Sequence, residues 1–253
     1  MRYRLMGFVS LLVILGVSCG LAEGQINTKI VHYKSGTERV SAFLVTPGAS
    51  GKHPALVVIH EWWGLNDWVK EQAERLGEQG YVALAVDLYR GQATSDPSMA
   101  HQLARGLPHD RALRDLEAAF NYLASRPDVD SNKIGSIGWC MGGGYSMELA
   151  IHEPKLAACV VNYGALPTDP EDINRIQAPV LGNFGAEDRG IPPTAVSNFE
   201  KAMENAHKKV NVKIYAGAGH AFENPNNKAG YRPQAAQDAW NRTVSFLAET
   251  LKQ

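Results

Sequence analysis

An excess of charge is the first thing this sequence lacks. It carries 25 Lys and Arg against 26 Asp and Glu, a net charge of −1. Such a balance offers no field for a polyanion, and no basic cluster with interleaved aromatics occurs, which argues against nucleic acid as a partner. Ligand pairs with zinc-like spacing are missing, so no metal is expected, even though His60 stands next to Glu61. No apolar run reaches the roughly 18–20 residues of a membrane span. Internal repeats, low-complexity segments and a second domain are also missing. Cysteine is scarce: three residues, of which Cys19 falls in the amino-terminal segment, just after its apolar stretch. Cys140 and Cys159 remain. One stands at the tip of a turn and the other in an apolar strand run, a placement that argues against a disulfide and makes Cys159 a buried hydrophobe.

What is present reads as globular. Hydrophobic residues make up 45% and charged residues 20%, and 253 residues suit a single α/β sheet with helices on both faces. The amino terminus differs from the rest. Arg2 and Arg4 precede an apolar stretch from Leu5 to Val17, followed by small residues up to Ala22. This is the pattern of a secretory signal peptide over residues 1–22, with Gly20-Leu21-Ala22 as the cleavage site and a single domain over 23–253. Lipid attachment at Cys19 ranks below plain secretion. Removal of 1–22 takes away two arginines and no acid, which moves the net charge from −1 to −3. The expected location is periplasmic or secreted.

Along the chain, residues 28–35 and 39–47 alternate apolar and polar side chains around Gly36, which predicts an antiparallel hairpin. The continuous apolar run Ala55–Ile59 predicts a central strand buried on both faces. Helices are expected over 67–79, 97–105, 110–125, 141–152, 194–206 and 232–251. Further strands are expected over 81–86, 133–138, 156–163, 179–184 and 210–215. The alternation of strands and helices after the hairpin argues for a mainly parallel sheet wrapped by helices.

The chain is organised around Gly138-Trp139-Cys140-Met141-Gly142, between a strand-like run and a helical one. Gly-x-Cys-x-Gly suits a nucleophile on a sharp strand-to-helix turn, where small residues two positions either side relieve crowding. The helix N-terminus there favours a thiolate and a developing oxyanion. The same turn could equally be a packing or phosphate-binding loop, although it lacks the Lys-Ser/Thr of a P-loop and does not read Gly-x-Gly-x-x-Gly. Partners further along decide. Asp188 follows the strand ending at Phe184, and His220 follows the strand ending at Tyr215. Chemistry in such sheets collects at the C-terminal strand ends, and the order nucleophile, acid, base is that of α/β-hydrolase triads. In this reading His220 takes the thiol proton and later protonates the leaving alkoxide, while Asp188 fixes the tautomer of His220.

At these residues the chain resembles the dienelactone hydrolase family. The matching stretches are Val58 to Asn66, Gly80 to Ala83 with Asp87-Leu88-Tyr89, Gly138 to Gly143, Gly185 to Asp188 and Ala218 to Phe222, and the resemblance spans about residues 28–251. It implies an α/β-hydrolase fold without a large cap, no cofactor, and hydrolysis of carboxylic esters or lactones through a thiol acyl-enzyme. It also implies that the Glu61 carboxylate interacts with the Cys140 thiol and is displaced by substrate. The backbone N–H groups of Met141 and Trp62 would form the oxyanion hole. Members acting on dienelactone carry an arginine shortly after the catalytic histidine. Here the stretch reads Ala221-Phe222-Glu223-Asn224. Arg105, Arg189 and Arg90 are the candidate substitutes, and Trp62, Arg105 and Phe222 the candidate substrate-binding side chains. Dienelactone itself is therefore in question as the substrate. A monomer acting on a small ester or lactone is the expectation. The alternative is a secreted, non-catalytic binding protein on the same fold.

Overall fold

The computed structural model describes residues 25–253. The expected signal peptide and Cys19 lie outside them. The chain runs β1 (Ile26–Ser35), β2 (Glu38–Pro47), β3 (His53–Ile59), α1 (Asp67–Glu78), β4 (Val82–Val86), α2 (Pro97–Arg105), α3 (His109–Ala124), β5 (Val129–Trp139), α4 (Met141–His152), β6 (Ala158–Asn162), α5 (Pro170–Arg175), β7 (Val180–Gly185), α6 (Pro193–Asn205), β8 (Val210–Tyr215) and α7 (Pro233–Leu251). One eight-stranded sheet has the order β1-β2-β4-β3-β5-β6-β7-β8. The β1–β2 and β2–β4 pairings are antiparallel and all later ones parallel. This is the α/β-hydrolase architecture, with no cap domain among the described residues.

The apolar runs explain the layering. All residues of β4, β6 and β7 are buried, as a sheet covered on both faces requires. On one face Leu116 and Phe120 of α3, Met147 of α4 and Phe199 of α6 pack on the strands. On the other face lie Trp68 and Leu76 of α1 and Leu247 of α7. Each such side chain contributes about 1.5–3 kcal/mol by leaving water. Ends are fixed locally. Asn66 caps α1 through Val69 N–H at 3.2 Å, and Asp96 caps α2 through Met99 N–H at 2.8 Å with Pro97 in the first turn. Helix α4 has no side-chain cap; its N-cap is Cys140.

Two elements depart from the sequence reading. Strand β5 starts at Val129 rather than at residue 133, because Val129 pairs with His53 across a register shift in β3. Helix α5, absent from the expected set, is six residues capped by Asp169 and buries only Ile173, too little for a periodic signal.

Candidate active site

Cys140 occupies the turn from β5 into α4 with φ 55° and ψ −120°, a conformation that side-chain-bearing residues rarely adopt. The two flanking glycines make it possible. A Cβ on Gly138 would run into the carbonyl of Gly142, and one on Gly142 into the carbonyl of Ile59. Buried amides brace the turn. Cys140 N–H donates to Asn162 O at 3.0 Å, Asn162 Nδ2 to Gly138 O at 3.2 Å, and Asn183 Nδ2 to Asn162 Oδ1 at 2.9 Å. Sequence reasoning missed Asn162 and Asn183. Their only signal is a single polar residue near the end of each apolar strand.

The thiol is half-buried and faces three groups. The main-chain N–H groups of Met141 and Trp62 are directed at Sγ and favour its ionised form, whereas burial and then the Glu61 carboxylate oppose it. The balance pushes the Cys140 thiol up to about 12. Glu61 is buried just past β3. Its Oε2 accepts from Asn224 Nδ2 at 2.6 Å and its Oε1 from Tyr163 Oη at 3.4 Å. Burial raises its carboxyl to about 7 against the pull of those two donors. No lysine or arginine pairs with Glu61 among the described residues. The neighbouring His60 is structural: Nδ1–H donates to Glu61 O at 2.5 Å, and Nε2 accepts from Leu88 N–H at 3.3 Å.

Asp188 and His220 meet. His220 Nδ1 donates to Asp188 Oδ2 at 2.7 Å, while the other oxygen of this buried carboxylate accepts from Gly190 and Ile191 N–H at 2.8 and 3.1 Å. That bond fixes the tautomer that leaves Nε2 of a neutral imidazole free to accept. Asn227 Nδ2 holds the His220 loop through the carbonyls of His220 and Ala221. His220 and Cys140 line one cavity of about 900 Å³, together with Glu61, Trp62 and Trp63. Within this structure no hydrogen bond joins Sγ to His220; the thiol faces Glu61 and the two amides instead.

The family model for the dienelactone hydrolase family matches residues 40–251. This chain belongs to the dienelactone hydrolase family. Membership makes it an enzyme of the ester- and lactone-hydrolysing class. A Salmonella typhimurium protein named "Putative carboxymethylenebutenolidase" is 31% identical, over 90% of this chain and 89% of its own length. A Bradyrhizobium protein named "Probable 2-oxo-3-(5-oxofuran-2-ylidene)propanoate lactonase" is 34% identical, over 81% of this chain and 88% of its own. Among solved structures, a metagenomic dienelactone hydrolase-like promiscuous phosphotriesterase superposes with a TM-score of 0.83 at 29% identity, covering 90% of this chain and 99% of that one.

Within this family frame, two of the candidate substrate-binding side chains are corrected by the structure. Phe222 is fully buried between Tyr163 and Tyr215, with ring centroids 5.6 and 5.0 Å away, so it supports the His220 loop from below. Arg105 ends α2 on the exposed surface and does not line the Cys140 cavity. The other candidate arginines do not line it either: Arg90 pairs with Glu38 and Asp115 at 2.7 Å each, and Arg189 is exposed. Trp62 does line the cavity, and so does Trp63. The one lysine or arginine on its wall is the exposed Lys228, which sequence reasoning did not single out.

Proposed function

We propose that this protein hydrolyses carboxylic esters or lactones with Cys140 as nucleophile, His220 as base and then acid, and Asp188 as the group that orients His220. The observation that carries this reading is the placement of Cys140. It sits on a strained turn with two main-chain N–H groups aimed at its sulfur, in the same cavity as a histidine bonded to a buried carboxylate. The Met141 and Trp62 amides then serve as donors to the oxyanion that forms when Sγ attacks the carbonyl. His220 accepts the thiol proton, the Sγ–C bond forms, and the C–O bond breaks as His220 protonates the alkoxide. Water, deprotonated by His220, releases the acid and restores the thiol.

Glu61 restrains the thiol in the absence of substrate. Its carboxylate opposes a second negative charge nearby, and a substrate that displaces it frees Cys140 to turn towards His220. No arginine lines the cavity among the described residues; its one cationic side chain is the exposed Lys228, and the reading does not require a substrate carboxylate. The missing Sγ–His220 bond is what a binding protein without chemistry would also show. Turnover separates the two. Hydrolysis of p-nitrophenyl acetate that iodoacetamide abolishes supports the enzyme; no turnover of any ester or lactone supports the binding protein.

We also propose that residues 1–22 are a secretory signal and that the remaining domain acts as a monomer in the periplasm or outside the cell. Amino-terminal sequencing of exported material tests the first, and a mature chain beginning at Met1 contradicts it. Sedimentation of the purified protein tests the second, and a dimeric mass would overturn it.

A further inference from the structure

Cys140 lines two cavities. The larger, about 900 Å³, holds His220 and the Trp62–Trp63 pair. The second, about 500 Å³, runs along the start of α4 past Met141, Tyr145 and Leu166, and His220 is not on its wall. The chemistry assigns the two halves of an ester to the two spaces. The alkoxide must leave where His220 can protonate it, and the water that follows must enter where His220 can deprotonate it. The acyl group stays bound to Sγ through both events, so it must lie away from His220 and leave that side open. Of the two cavities that Cys140 lines among the described residues, the second meets this condition.

Their walls differ in kind. The second cavity has an apolar floor and a rim carrying Glu148, Asp169 and Asp172, with His109 beside Glu148 at 3.4 Å as the basic group. Such a rim repels an acyl group that bears a carboxylate and accepts a neutral aliphatic one. The first cavity pairs two indoles, their centroids 4.8 Å apart, with the side chains of Asn66, Thr94, Ser95 and Asn226; its charged groups are the buried Glu61 beside the thiol and the exposed Lys228. Asn226 is exposed there, and its amide side chain makes no hydrogen bond among the described residues; Thr94 and Ser95 stand on the same wall. The two indoles meet edge to face, and Thr94 Oγ1 already accepts from Asp96 N–H at 3.0 Å, which leaves the Asn226 amide and the Ser95 hydroxyl beside the rings; such a wall suits a ligand with C–H faces and hydroxyls.

On the thiol hydrolase reading above, we infer that the substrate is an open-chain ester straddling Cys140, with a neutral aliphatic acyl group in the Met141–Leu166 cavity and a polyhydroxylated alcohol of sugar type against Trp62 and Trp63. The acyl–oxygen bond is the one that breaks, and the free sugar departs with the proton from His220.

Steady-state kinetics on p-nitrophenyl acetate, p-nitrophenyl octanoate and an acetylated methyl xyloside test this in wild type and in Leu166→Trp, Trp63→Ala and Asn226→Ala. Leu166→Trp should lower kcat/KM for octanoate relative to acetate by about tenfold or more, because it fills the acyl space. Trp63→Ala and Asn226→Ala should each lower kcat/KM for the xyloside ester relative to p-nitrophenyl acetate, by about tenfold for the indole. Unacetylated methyl xyloside should inhibit p-nitrophenyl acetate hydrolysis competitively in wild type and less in Trp63→Ala. Turnover of p-nitrophenyl acetate without inhibition by the xyloside, or a chain-length effect that follows Trp63 instead of Leu166, would overturn the inference and leave the hydrolase reading standing. No turnover of any ester by wild type would overturn both.

Discussion

Cys140 and Cys159 belong to neighbouring parts of one sheet. The first closes β5, and the second sits in β6, which pairs with it. Burial raises both thiols, Cys140 to about 12 and Cys159 to about 11. Cys159 is fully buried in a regular strand; Sγ donates to Ser146 O at 3.4 Å and lies 3.5 Å from Ser146 Oγ. By acidity alone it is no worse a nucleophile than Cys140. What separates them is placement: a strained turn, two amides aimed at the sulfur, a cavity and a histidine in it. The comparison teaches that placement, not acidity, distinguishes Cys140 from Cys159.

The sharpest way to break this comparison is to delete each sulfur in turn. Cys140→Ala should lower turnover of p-nitrophenyl acetate on the order of 10⁴-fold or more while the circular dichroism spectrum stays native. Cys159→Ala should keep the wild-type rate. Equal loss in both variants would remove any distinction between the two thiols. Asp188→Asn comes next, with a loss of about 10³-fold from a His220 in the wrong tautomer. Unchanged turnover there would show that Asp188 does not orient the base.

Two raised carboxyls stand near the Cys140 turn: Glu61, which acts on the thiol, and Glu223, which is bonded to Trp139 just before it; burial and the Ser146 and Ser136 hydroxyls alone act on Cys159. Glu61 is raised to about 7 and Glu223 to about 8, in both cases mainly by burial; Glu223 accepts from Trp139 Nε1 at 3.1 Å and has one oxygen without a partner. Both hold their protons longer folded than unfolded. Their contribution is therefore fully favourable below about pH 4.5 and is lost as pH rises through 7 to 8, on the order of 3 kcal/mol for Glu61 alone. Urea unfolding of Glu61→Gln or Glu223→Gln between pH 4.5 and 8 should show a flatter dependence than wild type. A slope identical to wild type would mean that neither carboxyl is held neutral.

A smaller effect concerns reactivity. Glu61→Gln removes the negative charge that opposes the Cys140 thiolate, so iodoacetamide should alkylate Cys140 about tenfold faster at pH 8, with Cys159 unaffected. Turnover should fall, because substrate no longer releases a restraint. Superimposable alkylation curves against pH would remove Glu61 from control of the thiol. Smallest is the cost of Cys159→Ala, about 1 kcal/mol in urea unfolding for a small void beside Ser136 and Ser146. A loss several times larger would mean that the Ser146–Cys159 contacts matter more than packing.

The sequence by itself determined the fold class and the position of the turn. Short unbroken apolar runs bounded by turn residues and alternating with helical patterns point to strands covered on both faces, and glycines two positions either side of Cys140 mark a sharp strand-to-helix turn. It also put Asp188 and His220 at the right strand ends, because a mainly parallel sheet sends all such loops to one edge. Tertiary structure alone decided what fills the space around Cys140. Phe222 follows His220 in the chain by two residues yet points into the core, since the positive φ of Ala221 turns the loop over it. Arg105 carries the charge a carboxylate would need but ends a helix on the outer surface. Asn224 reaches Glu61 across 163 residues of chain, and the second cavity at Cys140 brings the start of α4 against residues 165–172 and His109. Periodicity reports which face of an element is buried. Which side chains from different elements meet at a sulfur depends on how the loops fold back over the sheet, and that is written in no local pattern.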